Sequence, residues 1–206
     1  CDIVRTKQNA PQIDAMNILG IIDNLDKDQA QKILVAAPNT KVLWNMLSHT
    51  NVIEELKDKG YDILHITSKH GCYFNKKKIN RQMFFKVLNA LCRMKDRKFL
   101  VFHYSILSEG ISVPGLSHCI LLRNLPIVEM AQTIGRVIRT HPEDRALMEK
   151  GEISTSCYAN WVKPCGFVTV PTTSGYGSGQ RTQRRLEGII DLIFVQGIPA
   201  IANVYS

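Results

Sequence analysis

Four short apolar runs, separated by segments of helical periodicity, constrain the fold of this chain more than any other feature. The runs are KILVAAP, YDILHIT, KFLVFHY and HCILLRN, which begin at Lys32, Tyr61, Lys98 and His118. Continuous apolar runs of this length are typical of strands that are buried on both faces. Strands that alternate with helices predict right-handed βαβ units, and therefore an α/β fold with a mostly parallel sheet.

Composition limits the class of protein and its partners. The chain has 206 residues, 45% of them hydrophobic, and a net charge of +8, which favours a polyanionic partner. None of its apolar runs approaches 18 residues, so we expect no membrane partner. The six cysteines form no CxxC pair or zinc spacing, which indicates reduced thiols and an intracellular, cytoplasmic location. Because the chain begins with Cys1, we expect it to be part of a longer polypeptide.

Ligands of parallel α/β sheets collect at the carboxyl ends of the strands. The segments PNTK, SKHG and SILSEG, and the run into Pro126, follow the four predicted strands there. We interpret SKHGCYFNKKKINRQ as one polar, basic loop. Its lysines could be a solvated run, or they could contact phosphates while Tyr73 and Phe74 stack on bases.

The segment PIVEMAQTIGRVIRTH predicts a helix with two faces. Helical spacing places an apolar stripe on one face, formed by Ile127, Met130, Ala131, Ile134 and Ile138. It places a polar set on the other, formed by Glu129, Gln132, Gly135, Arg136 and Arg139. The arginines could be a solvated face. A glycine inside a helix costs about 0.5–1 kcal/mol relative to alanine, so a packing contact or close approach to a phosphate would explain it.

Two stretches, LSEGISVPG and QTIGRVIR, lie on either side of a predicted strand and resemble motifs V and VI of superfamily 2 helicases. The run KILVAAPNT lies where motif IV is expected. The resemblance is to the second RecA-like domain of that two-domain motor, and it covers about residues 30 to 145. It implies a RecA-like three-layer αβα fold with a mostly parallel sheet, plus a C-terminal extension. We divide the chain into a linker or helical lead-in (1–30), the RecA-like domain (31–150) and the extension (151–206), with a mobile loop near 172–185.

The resemblance also implies roles for individual residues. Arg139 matches the arginine finger. Arg136 matches the first arginine of the same motif, which approaches the nucleotide phosphates or links to the other domain; both would be catalytic. Nucleotide-side contacts are expected from Gln132, Glu109, Gly110 and Ser112, although the family often has Asp where this chain has Ser112. Nucleic-acid contacts are expected from Thr40, Lys69, His70, Ser105, Lys76, Lys77 and Lys78.

The expected function is that of a C-terminal motor domain in an ATP-dependent DNA or RNA helicase or translocase. No G-x-x-x-x-G-K-[ST] loop is present in the sequence, so we expect the chain alone to be inactive. ATP and Mg²⁺ would be held mainly by an N-terminal RecA-like domain of the same polypeptide, and no metal site is expected here. Two alternatives stay open: a non-catalytic nucleic-acid-binding or scaffold domain, and the translocase part of a restriction or repair enzyme.

Overall fold

The computed structural model describes residues 6–25, 31–37, 39–104, 113–122 and 127–171, together with 184, 187 and 188. The strands of these residues are β1 (Lys32–Ala36), β2 (Tyr61–Thr67), β3 (Gly71–Phe74), β4 (Lys77–Ile79), β5 (Lys98–His103), β6 (His118–Leu121) and β7 (Phe167–Thr169). The α-helices are α1 (Ala10–Asp23), α2 (Thr40–His49), α3 (Val52–Asp58), α4 (Arg81–Arg93), α5 (Ile127–Val137) and α6 (Pro142–Glu149).

All seven strands form one sheet in the order β4-β3-β2-β5-β1-β6-β7. Neighbouring strands from β2 to β7 in that order are parallel, while β3 and β4 add an antiparallel hairpin at one edge. The four strands predicted from apolar runs are the central four, and the sequence between them supplies the crossover helices. The predicted α/β class with a mostly parallel sheet is therefore confirmed.

Helices cover both faces of the sheet, which explains why its central strands are apolar throughout. On one face α1, α2 and α3 pack on β1 and β5 through residues such as Ile18, Leu43 and Phe102. On the other face α4 and α5 pack through residues such as Phe84 and Met130. This is the three-layer arrangement that the resemblance implies.

Residues 40–60 form two helices, α2 and α3, which are separated at Thr50. Thr50 ends α2 in an extended conformation, and its hydroxyl donates a hydrogen bond of 2.6 Å to the carbonyl of Met46. The same hydroxyl accepts from the N–H of Val52, the first residue of α3. A threonine side chain that binds nearby backbone groups competes with the helical hydrogen-bond pattern, which accounts for the break.

The interpretation of residues 68–82 as one loop is wrong, because residues 71–79 form the β3–β4 hairpin. Its two central residues, Asn75 and Lys76, have φ angles of 45° and 70°, the left-handed conformation that tight hairpin turns require. The amide side chain of Asn75 fixes the turn, since its oxygen accepts from the N–H of Ile63 and its nitrogen donates to Asp62, each at 2.9 Å. The turn therefore lies beside the start of β2, not its end.

Both outer segments of the predicted division contribute to the folded domain. Helix α1 buries Ala15, Ile18 and Ile22 in the same core as α2 and α3. Strand β7 extends the sheet beside β6, in the segment KPCGFVTVP where the sequence predicts a strand. The predicted loop near 172–185 lies almost wholly outside the described residues. Within the described ranges, no helix is long and apolar enough to cross a membrane.

Candidate functional site

The predicted catalytic arginines lie at the end of α5 and just after it, beside the start of β6. The ammonium group of Lys163 links the end of α5 to the start of β6, because it donates hydrogen bonds to the carbonyls of Val137 at 2.6 Å and Leu116 at 3.1 Å. Since Leu116 precedes β6, this end of α5 lies at the amino edge of the sheet. Arg136 and Arg139 therefore lie at the amino edge of the sheet, opposite the carboxyl ends of the strands that PNTK and SKHG follow.

A cavity of about 410 Å³ opens at this place, within the size range of small-molecule sites. Its lining includes the end of the segment LSEGISVPG and both predicted arginines. The start and middle of α6 and one lysine of the C-terminal extension complete it. The lining residues are Val113, Pro114, Gly115, Arg136, Arg139, Thr140, Pro142, Arg145, Ala146, Glu149 and Lys163. Four basic groups against one carboxylate make the cavity suited to an anion.

Arg136 is more buried than the helical pattern predicts. Its exposed fraction is only 9%, whereas Ile138, assigned to the apolar stripe, lies beyond the last residue of α5 and is 40% exposed. Met130 and Ile134 of the predicted stripe are buried, and so are Thr133 and Val137, which the stripe did not include. Burial lowers the pKa of Arg136, and the positive charge of Arg139 lowers it further. An anion at this site would relieve both effects.

Arg139 and Arg145 differ from Arg136 because both are exposed, and neither guanidinium forms an ion pair with another described residue. Arg139 follows α5, and Arg145 lies in the middle of α6. Two planar forks that face one cavity can each bind two oxygens of a phosphate. Nothing in the sequence pattern pointed to Arg145, which lies outside the motifs.

Gly135 has no neighbouring atom that explains the absence of a side chain. A Cβ added to it would meet nothing within 4 Å among the described residues. The packing explanation considered for this glycine therefore finds no support in the described part of the chain, and close approach of a phosphate is the other explanation.

The C-terminal extension fixes this site through a buried carboxylate that the sequence analysis missed. Asp144 of α6 is fully buried, and its oxygens accept hydrogen bonds from the N–H groups of Val162 at 2.6 Å and Lys163 at 3.0 Å. Burial lowers the pKa of Lys163 to about 8. An acidic residue in the first turn of α6 looks like ordinary helix capping in the sequence, so only the fold identifies its partner.

The predicted nucleic-acid contacts divide between two edges of the sheet. Thr40 begins α2 and Lys69 and His70 follow β2, so these three lie at the carboxyl edge. The imidazole of His70 stacks on Trp44 of α2, which links the two segments. Lys76, however, lies in the hairpin turn at the amino end of β2 and is ion-paired with Glu54.

The hairpin also determines where two further predicted contacts, Lys77 and Lys78, lie. Lys77 begins β4 next to the hairpin turn, and Lys78 pairs with Tyr73 in the middle of β3. Gln132 is exposed on α5. The predicted contacts Ser105, Glu109, Gly110 and Ser112 lie outside the described residues. Among the described residues, no group of three or more His, Cys, Asp or Glu side chains could hold a metal ion.

Neither a protein-family model nor a curated protein sequence matches this chain. Among solved structures it is similar to the ATP-dependent Type ISP restriction-modification enzyme LlaBIII bound to DNA, with a TM-score of 0.50 and 15% identity over 86% of this chain and 12% of that chain. It also matches Mss116p DEAD-box helicase domain 2 bound to an RNA duplex, with a TM-score of 0.46 and 15% identity over 91% of this chain and 70% of that chain. The chain thus spans about an eighth of the restriction-modification enzyme, and the likeness shows a shared α/β fold.

Proposed function

We propose that the chain is the C-terminal motor domain of an ATP-dependent nucleic-acid helicase or translocase, and that Arg136 and Arg139 act on the transferred phosphoryl group. The observation that carries this proposal is the cavity at the end of α5, where both arginines meet Arg145 around about 410 Å³ of space. A solvated helix face would have no reason to bring three guanidinium groups to one cavity. Their mutual repulsion is offset when a polyanion binds between them.

The arginines would act by electrostatic stabilisation. When the γ-phosphate of ATP is transferred, negative charge spreads over its oxygens. Arg139, exposed and without an ion-pair partner among the described residues, is free to donate a bidentate pair of hydrogen bonds to those oxygens. Arg136 is held by burial, so it would fix the orientation of the group. Arginines supplied to a nucleotide by a second domain typically accelerate hydrolysis by about 10³–10⁵-fold.

ATP and Mg²⁺ would be bound mainly by an N-terminal RecA-like domain of the same polypeptide. The basic groups around the cavity suit phosphate oxygens, which supports a role on the nucleotide side for this domain. Catalysis would then require the two domains to close, which would couple hydrolysis to movement along the strand.

Nucleic acid would bind at the opposite, carboxyl edge, through Thr40, Lys69 and His70. The net charge of +8 supports such a partner. The fold similarity to an ATP-dependent restriction-modification enzyme bound to DNA also supports it. The second candidate function is translocation without unwinding, as part of a restriction or repair enzyme. A strand-displacement assay detects unwinding, and a triplex-displacement assay detects translocation, so the two assays together distinguish a helicase from a translocase.

The experiment that tests the proposal compares ATP hydrolysis by this chain and by the complete polypeptide, each with and without single-stranded DNA or RNA. We expect the chain alone to be inactive and the complete polypeptide to hydrolyse ATP faster when nucleic acid is present. A complete polypeptide that binds nucleic acid but hydrolyses no ATP would instead support a scaffold domain. Hydrolysis by the chain alone would contradict the proposal.

A further inference from the structure

Four aromatic rings lie together where α2 meets the carboxyl end of β2. The indole of Trp44 and the imidazole of His70 are stacked, with centroids 4.0 Å apart and planes 7° apart. His65 and Tyr73 form a second stack at 4.5 Å and 12°. Trp44 also lies 5.7 Å from Tyr73 in a tilted contact, so the two stacks form one continuous cluster.

This cluster is not sealed inside the core. Trp44, His70 and Tyr73 are only half-buried, so part of their ring surface stays in contact with water at the edge of the sheet. His65 is 4% exposed, and its Nδ1 has no hydrogen-bond partner among the described residues. A buried polar atom that is left unpaired typically costs about 1–3 kcal/mol of stability. Packing alone therefore does not explain why a histidine occupies this position.

Two lysines lie beside the cluster, one on the hairpin and one in the turn after β2. Strand pairing places His65, Tyr73 and Lys78 opposite one another across β2, β3 and β4. The side chain of Lys78 extends towards the turn after β2, since its Cε would lie 3.6 Å from a Cβ added at Gly71. Lys69 is exposed in that same turn. Partly exposed aromatic rings with lysines nearby match the chemistry of an unpaired base and its phosphates.

We propose that the Trp44–His70 pair is a stacking site for an unpaired base of single-stranded nucleic acid, with Lys69 and Lys78 contacting the neighbouring phosphates. The inference rests on nucleic acid being the partner in the proposed function, and adds that the site selects single strands. In a duplex the base faces are covered by their neighbours, so only an unpaired base can extend the stack. Stacking of a base on an aromatic side chain contributes about 1–3 kcal/mol and depends little on sequence.

The two tryptophans of the chain, Trp44 and Trp161, make the proposal directly measurable. In a Trp161→Phe variant the fluorescence comes from Trp44 alone. We expect a 15-nucleotide oligo(dT) or oligo(rU) to quench it, and an abasic oligonucleotide of equal length and charge to bind about 5- to 150-fold more weakly without quenching. Tighter binding of one of the two normal oligonucleotides would assign the site to DNA or to RNA.

Variants at the cluster separate stacking from folding. His70→Ala should weaken oligo(dT) binding but leave the affinity for the abasic oligonucleotide and the melting temperature unchanged. His49→Ala, at an exposed position on α2, the helix of Trp44, is the matched control and should change neither. Equal affinity for normal and abasic strands, with no quenching, would overturn the stacking site while leaving nucleic-acid binding intact. A chain that binds none of these strands would overturn both.

Discussion

The ammonium group of Lys163 donates a hydrogen bond of 2.6 Å to the carbonyl of Val137, the last residue of α5. It also donates to the carbonyl of Arg139, two residues further on. A cation at the end of a helix satisfies carbonyls that have no helical partner and interacts favourably with the helix dipole. A lysine of the C-terminal extension therefore holds the segment that carries both candidate catalytic arginines.

Replacing Lys163 tests whether these hydrogen bonds anchor the end of α5, that is, whether they stabilise it. Lys163→Met keeps most of the aliphatic stem but removes the three hydrogen bonds, so we expect a loss of about 2 kcal/mol and a melting temperature about 4–8 °C lower. ATP hydrolysis by the complete polypeptide should fall as well, because Arg139 loses its support. Lys150→Met, at an exposed position just after α6, is the control. If both variants melted at the same temperature, the anchor would have no energetic role.

Gly135 tests whether the outer face of α5 is approached by another group. Gly135→Ala should raise the melting temperature by about 1–4 °C, because alanine is the better helix former and a Cβ has open space there. We expect ATP hydrolysis to drop about tenfold or more despite this gain, since close approach is lost. Activity that is unchanged in the stabilised variant would argue against such an approach.

Gly166 provides the opposite case for the same substitution. A Cβ added there would lie 2.6 Å from the carbonyl oxygen of Val137, which is closer than atoms can pack. Gly166→Ala should therefore lower the melting temperature, in contrast to Gly135→Ala. The two thermal melts together check that the end of α5 and the segment before β7 pack as described.

Lysines at opposite ends of β2 should differ in their effect on nucleic-acid binding. Lys69 lies in the turn after β2, whereas Lys76 lies at the other end and is paired with Glu54. Lys69→Ser should therefore reduce the slope of log affinity against log salt by about 0.7–0.9, and Lys76→Ser should leave it unchanged. Binding titrations between 50 and 200 mM salt measure both slopes, and equal changes would place the nucleic acid elsewhere.

Acid should destabilise the fold through buried histidines. Burial lowers the pKa of His118, which is 3% exposed and stacked on Phe167, to about 4. In the unfolded chain the pKa is about 6.5, so between these values the unfolded state binds the proton more readily. Stability is therefore present at pH 7 and falls as the pH drops through this window.

Urea titrations at pH 7 and pH 5 check this dependence. The wild-type chain should lose about 2 kcal/mol more than His118→Asn between the two pH values. His49→Asn, at an exposed position, should behave like the wild type. Parallel losses in the wild type and His118→Asn would mean that folding does not lower the pKa of His118.

The sequence was sufficient to predict the central sheet, because buried parallel strands are continuous apolar runs whatever their neighbours. It predicted the arginine helix for a similar reason, since its apolar stripe is local. The position of Arg136 could not be predicted in this way. Val137 rather than Ile138 is buried, and this choice depends on where the helix ends and on which strand it crosses.

Contacts between distant segments were the least predictable part of the site. The hairpin turn at Asn75 lacks the glycine that usually marks such turns, so a basic loop was the simpler interpretation. Arg145, Asp144 and Lys163 belong to no motif. Arg145 and Lys163 line the cavity only because α6 and the extension, which Asp144 joins, fold back on α5. The stacking of Trp44 on His70 likewise joins two residues that are 26 positions apart.

The central claim is that Arg139 acts on the transferred phosphoryl group, and Arg139→Lys in the complete polypeptide tests it most directly. Lysine keeps the positive charge but loses the planar fork, so it should fail mainly where charge develops in the transition state. Arg139 is exposed, so the melting temperature should stay close to that of the wild type. We expect kcat for ATP to fall by at least about 100-fold while the affinity for single-stranded nucleic acid changes little. A variant that melts normally and hydrolyses ATP at the wild-type rate would contradict the claim.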